Sequence, residues 1–337
     1  MLFCWSGFVY RGLLVKIKFN YLVSPYTNTM ENGIKLYATS TAILLGKKIA
    51  ESLEVTLNQV YTEKFSDGEL FVRFDESVRG QIVFLVAKVD MPYERFFELL
   101  LTVDAARRSS AKEVVLIIPY LPHSRQERRD GQRTSISSRI VADIIQLMGA
   151  DRIITLDLHT NAIEGFYKIP LDPLSSLRLF VDHIKNSGLD NLCLCSPDFG
   201  GIKRIKQYKK LIESEMAVIN KERLKPNQVA HMEIIGDVKG RNIVIIDDLV
   251  DTAGTLCSAA NLLIDHGAKS VRAYCTHGIL SGNALDTIHH SAIDKLYISD
   301  TVIEEVNHPK IEIVSCAPLL AKAMAHLINN KSLSEIG

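Results

Sequence analysis

The chain of 337 residues has no net charge, because 39 Lys and Arg balance 39 Asp and Glu. No overall field therefore draws it to nucleic acid or to an anionic membrane, and any anion site has to be built locally. Paired cysteines are lacking too. Cys4, Cys193, Cys195, Cys257, Cys275 and Cys316 are scattered without CxxC spacing. Several lie in apolar runs, where a thiol behaves as a small hydrophobe, and this usage points to a reducing, cytoplasmic compartment. Neither GxxxxGK[ST] nor GxGxxG occurs, so the two commonest phosphate-cradling motifs are excluded. A low-complexity linker and a short-period repeat are likewise absent.

Residues 1–30 lack any acidic side chain and hold the only Trp. Arg11, Lys16, Lys18 and Asn20 break every apolar run there short of the about 18 residues a spanning helix needs. An organelle transit peptide fits the missing acids but not the poor amphipathic pattern. The segment reads as an extension outside the fold, with Met30 as the true start, because regular patterning begins at Ile34.

What is present is a globular composition, 47% hydrophobic and 23% charged, long enough for two α/β domains. From Lys35 onward, short β-branched runs alternate with helical patterns, which predicts parallel sheets with crossover helices. Expected strands are 35–38, 82–86, 113–118, 152–156, 192–195, 217–220, 242–246, 270–275, 295–298 and 312–314. The stretch Val60 to Phe74 reads as a hairpin around Asp67-Gly68. A boundary near Pro173 divides the chain into domains 31–173 and 174–330.

In open α/β sheets ligands collect at the carboxyl ends of strands. After Ile243 to Ile246 come Asp247, Asp248, Leu249, Val250, Asp251, Thr252, Ala253, Gly254 and Thr255, then an amphipathic helix. Small residues and two hydroxyls before a helix start let backbone N–H groups wrap a phosphate at the positive end of the helix dipole. Asp247 and Asp248 are badly placed for that phosphate. They are well placed to accept from vicinal sugar hydroxyls, or to hold a divalent cation through water. A lone Asp would merely end a strand or cap a helix; the acidic pair combined with D-T-A-G-T points to sugar-phosphate binding.

His159, closing Leu156-Asp157-Leu158-His159, and Asp198, within Ser196-Pro197-Asp198-Phe199-Gly200-Gly201, leave two other strand ends and can share one Mg²⁺ site. Arg125, Arg128 and Arg129 follow a further strand, either as a triphosphate clamp with Gln126 beside it or as a solvated basic loop.

The DDLVDTAGT run resembles the phosphoribosyl-pyrophosphate signature of phosphoribosyltransferases and ribose-phosphate pyrophosphokinases. The other motifs resemble the pyrophosphokinase family alone. It has LDLH and SPDxGG at the places of His159 and Asp198, where the His and Asp belong to the Mg-ATP site. Its PYxxYARQDR is similar to Pro119 to Arg128, so that Arg125 and Gln126 would contact ATP. Its FSDGE matches Phe65, Ser66, Asp67, Gly68 and Glu69, whose aromatic and acidic residues would hold adenine and ribose across a subunit interface. Its KRR or KER loop, which closes over the reacting phosphates, aligns with Lys221 and Arg223, the implied catalytic pair. The likeness runs from about Gly33 to Ile328.

The resemblance implies an α/β fold of two phosphoribosyltransferase-type domains, each a mainly parallel sheet flanked by helices. The N-terminal domain would bind ATP and the C-terminal one ribose 5-phosphate. It further implies synthesis of phosphoribosyl pyrophosphate, Mg²⁺, and a homo-oligomer, specifically a hexamer. A phosphoribosyltransferase, a noncatalytic regulatory subunit and a nucleic-acid-binding regulator are the competing functions. Departures fall at Val86 to Arg95, where the family reads VQST and an Asn-rich loop, and at Arg133 to Arg139, where it reads RxPITAK. Both regions contribute in the family to subunit contacts and to phosphate or ADP regulation.

Overall fold

The computed structural model describes residues 33–222 and 231–336. The N-terminal extension expected at residues 1–30 and Arg223 lie outside the described residues.

The described residues open with β1 (Ile34–Ala38), α1 (Ile43–Leu53), β2 (Leu57–Asn58) and the hairpin β3 (Val60–Lys64) and β4 (Leu70–Phe74). Then follow β5 (Ile82–Val86), α2 (Glu94–Arg108), β6 (Glu113–Ile117), α3 (Ser137–Leu147), β7 (Arg152–Leu156) and β8 (Leu171–Leu174). All but the hairpin form one parallel sheet in the order β2-β1-β5-β6-β7-β8. The second half begins with α4 (Leu177–Asn186), β9 (Leu192–Ser196), α5 (Ile202–Lys209), β10 (Glu215–Glu222), β11 (His231–Ile235) and β12 (Asn242–Val250). It ends with α6 (Gly254–Asp265), β13 (Ser270–Gly278), α7 (Ala284–His289), β14 (Lys295–Ser299), β15 (Ile311–Val314) and α8 (Ala317–Ile328). Its sheet runs β11-β10-β9-β12-β13-β14-β15, with only the β10–β11 pair antiparallel.

Strands covered on both faces need continuous apolar runs. Ile243 and Ile245 of β12 enter one core with Ala259 and Leu263 of α6, whereas Val244 and Ile246 enter another with Phe180 and Tyr208. The hairpin follows the opposite rule. Val60, Thr62, Val72 and Phe74 face inward while Tyr61, Glu63, Phe71 and Arg73 are exposed, and Gly68 takes a φ of 97° in the tight turn.

The expected strands form, and three, β10, β12 and β13, run on by two residues or more. β12 continues past Ile246 through both aspartates, because its ladder with β13 extends to the Val250–Gly278 pair. Gly278 must be small there, since a Cβ would come within 2.5 Å of Ile298 Cδ1. β10 extends to Glu222, so Lys221, expected in a polar loop, is a strand residue whose backbone pairs with Met232. Pro173 falls inside β8, an edge strand that tolerates its missing N–H, and the first sheet closes at Leu174. The expected 174–330 unit is also not self-contained. Helix α8 returns to the first sheet, where Leu320, Ala323 and Met324 pack with Leu45, Ile49 and Val86 in one core.

Charged groups join the two halves. Lys88, only 3% exposed, donates to Val302 O at 3.0 Å and pairs with Glu304 at 3.0 Å. Glu304 in turn accepts from Leu45 N, and Lys48 reaches the fully buried Asp300 at 2.9 Å. The departure at Lys88 thus lies in the seam between the sheets.

Candidate active site

The tip of β7 is pinned to the second sheet by Asp157, whose φ of 32° is unusual for a non-glycine residue. Its carboxylate accepts from Thr276 Oγ1 at 2.5 Å and from the Ser176 hydroxyl, and its carbonyl lies 3.2 Å from His277 Nε2. With β7 held against β13 in this way, His159 reaches across to β12. Its Nδ1 is 2.7 Å from Asp248 Oδ2.

The acidic pair has a second partner that carried no signal in the sequence. Arg204 forks across it, with one nitrogen 3.0 Å from Asp247 Oδ1 and the other 3.0 Å from Asp248 Oδ1. The SPDFGG turn aims this arginine. Ser196 Oγ donates to Asp198 O at 2.7 Å, Gly201 N donates to Asp198 Oδ1 at 3.0 Å, and α5 starts at once. A Cβ at Gly201 would sit 2.3 Å from Ser196 Oγ, so a larger residue would have to turn that hydroxyl off Asp198 O.

The two carboxylates titrate in opposite directions. Burial and the adjacent Asp248 charge push Asp247 up to about 8. Burial also raises Asp248, but the His159 hydrogen bond and the Arg204 charge outweigh it and hold Asp248 below the usual carboxylate range. The same hydrogen bond raises His159 against the opposing effect of burial.

In the 251–255 loop, Asp251 accepts from the Ser281 hydroxyl and pairs with Arg125 at 2.8 Å. Ala253 is held in the left-handed region at φ 63°, a strained conformation of the kind that persists at ligand clamps, and α6 begins at Gly254. The Arg125 loop is itself braced by α3. Ser137 Oγ donates to Gln126 Oε1 at 2.6 Å, and Ser138 Oγ donates to His123 O at 2.5 Å. The departure at Arg133 to Arg139 thus supplies the braces of the Arg125 loop.

His159 lines two cavities. One of about 550 Å³ is shared with Arg125, Gln126 and Arg128; the other, of about 360 Å³, is shared with Asp157, Ser176 and Arg204. The arrangement brings together His159, Asp247, Asp248, Asp251 and Arg125. Phe65, Asp67, Gly68 and Glu69 stand apart on the exposed hairpin tip, with Asp67 Oδ1 accepting from Glu69 N at 3.1 Å.

A family model described as the N-terminal domain of ribose phosphate pyrophosphokinase matches residues 34–149, and one described as the phosphoribosyl synthetase-associated domain matches residues 202–336. The ribose-phosphate pyrophosphokinase of Aquifex aeolicus is 40% identical over 308 residues, 90% of this chain and 99% of the relative. That of Caulobacter vibrioides is 41% identical over 312 residues, with the same coverage. The chain belongs to the ribose-phosphate pyrophosphokinase family. The crystal structure of the phosphoribosylpyrophosphate synthetase from Mycobacterium smegmatis agrees, with a TM-score of 0.82 at 34% identity over 88% of this chain and 99% of that one.

The pyrophosphokinase expected from the motifs is borne out, and the phosphoribosyltransferase and regulatory-subunit alternatives are not favoured. The reaction transfers the β,γ-diphosphoryl group of ATP to the anomeric hydroxyl of ribose 5-phosphate, giving phosphoribosyl pyrophosphate and AMP. A kinase of this family implies a divalent cation. Among the described residues no cluster of three or more His, Cys, Asp and Glu could hold one alone. The donors fit a cation that takes most of its ligands from phosphates and water: Asp198 keeps Oδ2 to offer, and His159, engaged at Nδ1, keeps Nε2. No helix among the described residues is long and apolar enough to cross a membrane.

Proposed function

We propose that the two halves of the reaction meet at His159 and Asp248. The observation that carries this reading is their 2.7 Å contact, which joins a group assigned to the nucleotide side with one assigned to the sugar side. In-line diphosphoryl transfer needs such adjacency more than covalent chemistry. Asp251, Thr252, Ala253, Gly254 and Thr255 hold the 5-phosphate at the start of α6. Asp247 and Asp248 accept from the ring hydroxyls, turning the anomeric oxygen toward the β-phosphorus, and AMP leaves. Arg125 and Gln126 hold the triphosphate, while Phe65, Asp67, Gly68 and Glu69 hold the nucleoside.

The cation is Mg²⁺, bound by His159 and Asp198; when present it neutralises charge on the nucleotide phosphates. Lys221 and Arg223 stabilise the charge that develops in the transition state. Replacing either by Ala should lower turnover roughly a hundredfold while changing the KM values far less; unchanged turnover in both variants removes them from the catalytic role. The family resemblance supports a hexamer, and the five cysteines among the described residues, all unpaired and buried, support a cytoplasmic enzyme.

Purified protein with ribose 5-phosphate, ATP and Mg²⁺ should form AMP and phosphoribosyl pyrophosphate in equal amounts. AMP without the sugar product would reduce the activity to hydrolysis.

A further inference from the structure

Among the described residues the β3–β4 hairpin pairs with no other strand, and an isolated two-stranded hairpin is marginally stable in water. Something outside it must therefore set its tilt. Its inner face supplies apolar contacts, including an edge-on packing of Phe74 on Tyr37 with ring centroids 4.7 Å apart. Such contacts hold it down but fix direction poorly. The ion pair from Lys64 to Glu94 spans 3.7 Å between side chains that are both 57% exposed, and such pairs contribute little.

The directional contact comes from Glu98 of α2. This residue is 3% exposed, and among the described residues no Lys, Arg or His pairs with it. Its carboxylate instead accepts from Ser40 N at 2.8 Å, Ser40 Oγ at 2.7 Å and Thr62 Oγ1 at 3.0 Å. A buried carboxylate is costly unless its lone pairs are filled, and here the donors come from two separate segments. Ser40 anchors the carboxylate to the loop after β1, and Thr62 anchors the hairpin to the carboxylate. Thr62 lies three residues before Phe65, on the strand that leads directly to the tip.

We propose that Glu98 is a positioning residue for the nucleotide: through Thr62 it fixes the hairpin on α2 and so places Phe65, Asp67 and Glu69 where they meet an adenine nucleoside triphosphate. The inference rests on the reading of the hairpin as part of the ATP site. Glu98 does not touch the nucleotide itself.

Glu98 is too buried to truncate cleanly, so its partner carries the test, in the full chain in its native assembly. Thr62→Val keeps the shape and removes the donor, Thr62→Ser keeps the donor, and Phe65→Ala reports on the tip. Thr62→Val should raise KM for ATP roughly threefold to tenfold, the share of a charge-assisted hydrogen bond that the hairpin passes to nucleotide affinity. Turnover and KM for ribose 5-phosphate should stay within about twofold, and Thr62→Ser should restore KM for ATP. A merely structural role would lower activity in proportion to folded protein without separating the two KM values. If Phe65→Ala raises KM for ATP and Thr62→Val does not, the positioning role is overturned while the site reading stands. If neither variant moves it, the hairpin is no part of the ATP site and both fall together.

Discussion

Arg204 spans two carboxylates that are neighbours in sequence, yet nothing in the sequence distinguishes it from the solvated lysines around it on α5. Its role depends on the SPDFGG turn, whose geometry exists only once β9 and β12 lie side by side. Asp247 and Asp248 were legible because two acids ahead of D-T-A-G-T are uncommon; their shared cation was not. His277 is a similar case. It is buried, with Nδ1 3.0 Å from Thr301 Oγ1 and Nε2 3.2 Å from Asp157 O, and burial pushes its pKa below the ordinary 6.5. Below pH 6.5 the unfolded chain therefore takes up a proton that the folded chain refuses. Its contribution to stability is present above that pH and is lost on acidification, by about 1.4 kcal/mol per pH unit until the depressed folded value is reached. His277→Gln should narrow the loss in unfolding free energy between about pH 7.5 and about pH 5.5, measured in urea; an equal loss in both proteins would mean that His277 does not govern this window.

At the scale of elements, the 251–255 loop and the Arg125 loop face each other through the Arg125–Asp251 pair. The arginine proposed to hold ATP is thus paired with a carboxylate of the loop proposed to hold the sugar phosphate. A nucleotide that claims Arg125 must displace that carboxylate, so the two half-sites are energetically linked, and the linkage is reciprocal. Asp251→Asn should raise affinity for a nonhydrolysable ATP analogue by about twofold to fivefold when no sugar phosphate is present, the worth of a partly exposed ion pair. Titration calorimetry measures this, and weaker binding by the variant would show that Asp251 assists the nucleotide. The expected strands and the hairpin were legible because their apolar runs and the Asp67-Gly68 turn are local signals. The extensions of β10 and β12 were not, since a strand ends where its partner ends.

On the scale of the whole molecule, α8 and the Lys88 seam bind the halves into one body. Lys88→Met leaves Glu304 half of a broken, largely buried pair and should cost about 3–5 kcal/mol of unfolding free energy. Lys88→Met combined with Glu304→Gln should recover most of that loss, because the amide carries no charge and still accepts from Leu45 N. A double variant as unstable as the single one would place the cost in lost packing rather than in the stranded carboxylate.

By itself the sequence determined that there are two mainly parallel sheets and which runs build most of their strands, and it marked the loops that the proposed function gives to phosphate chemistry. Buried parallel strands and phosphate-cradling turns are written in short contiguous stretches. The tertiary structure alone decided that Arg204 clamps the acidic pair, that Glu98 tethers the hairpin, that Lys88 is a seam residue and that α8 belongs to the first core. A single charged side chain is most often solvated. Whether it is instead buried and paired depends on residues far away in the chain, which only folding brings into contact.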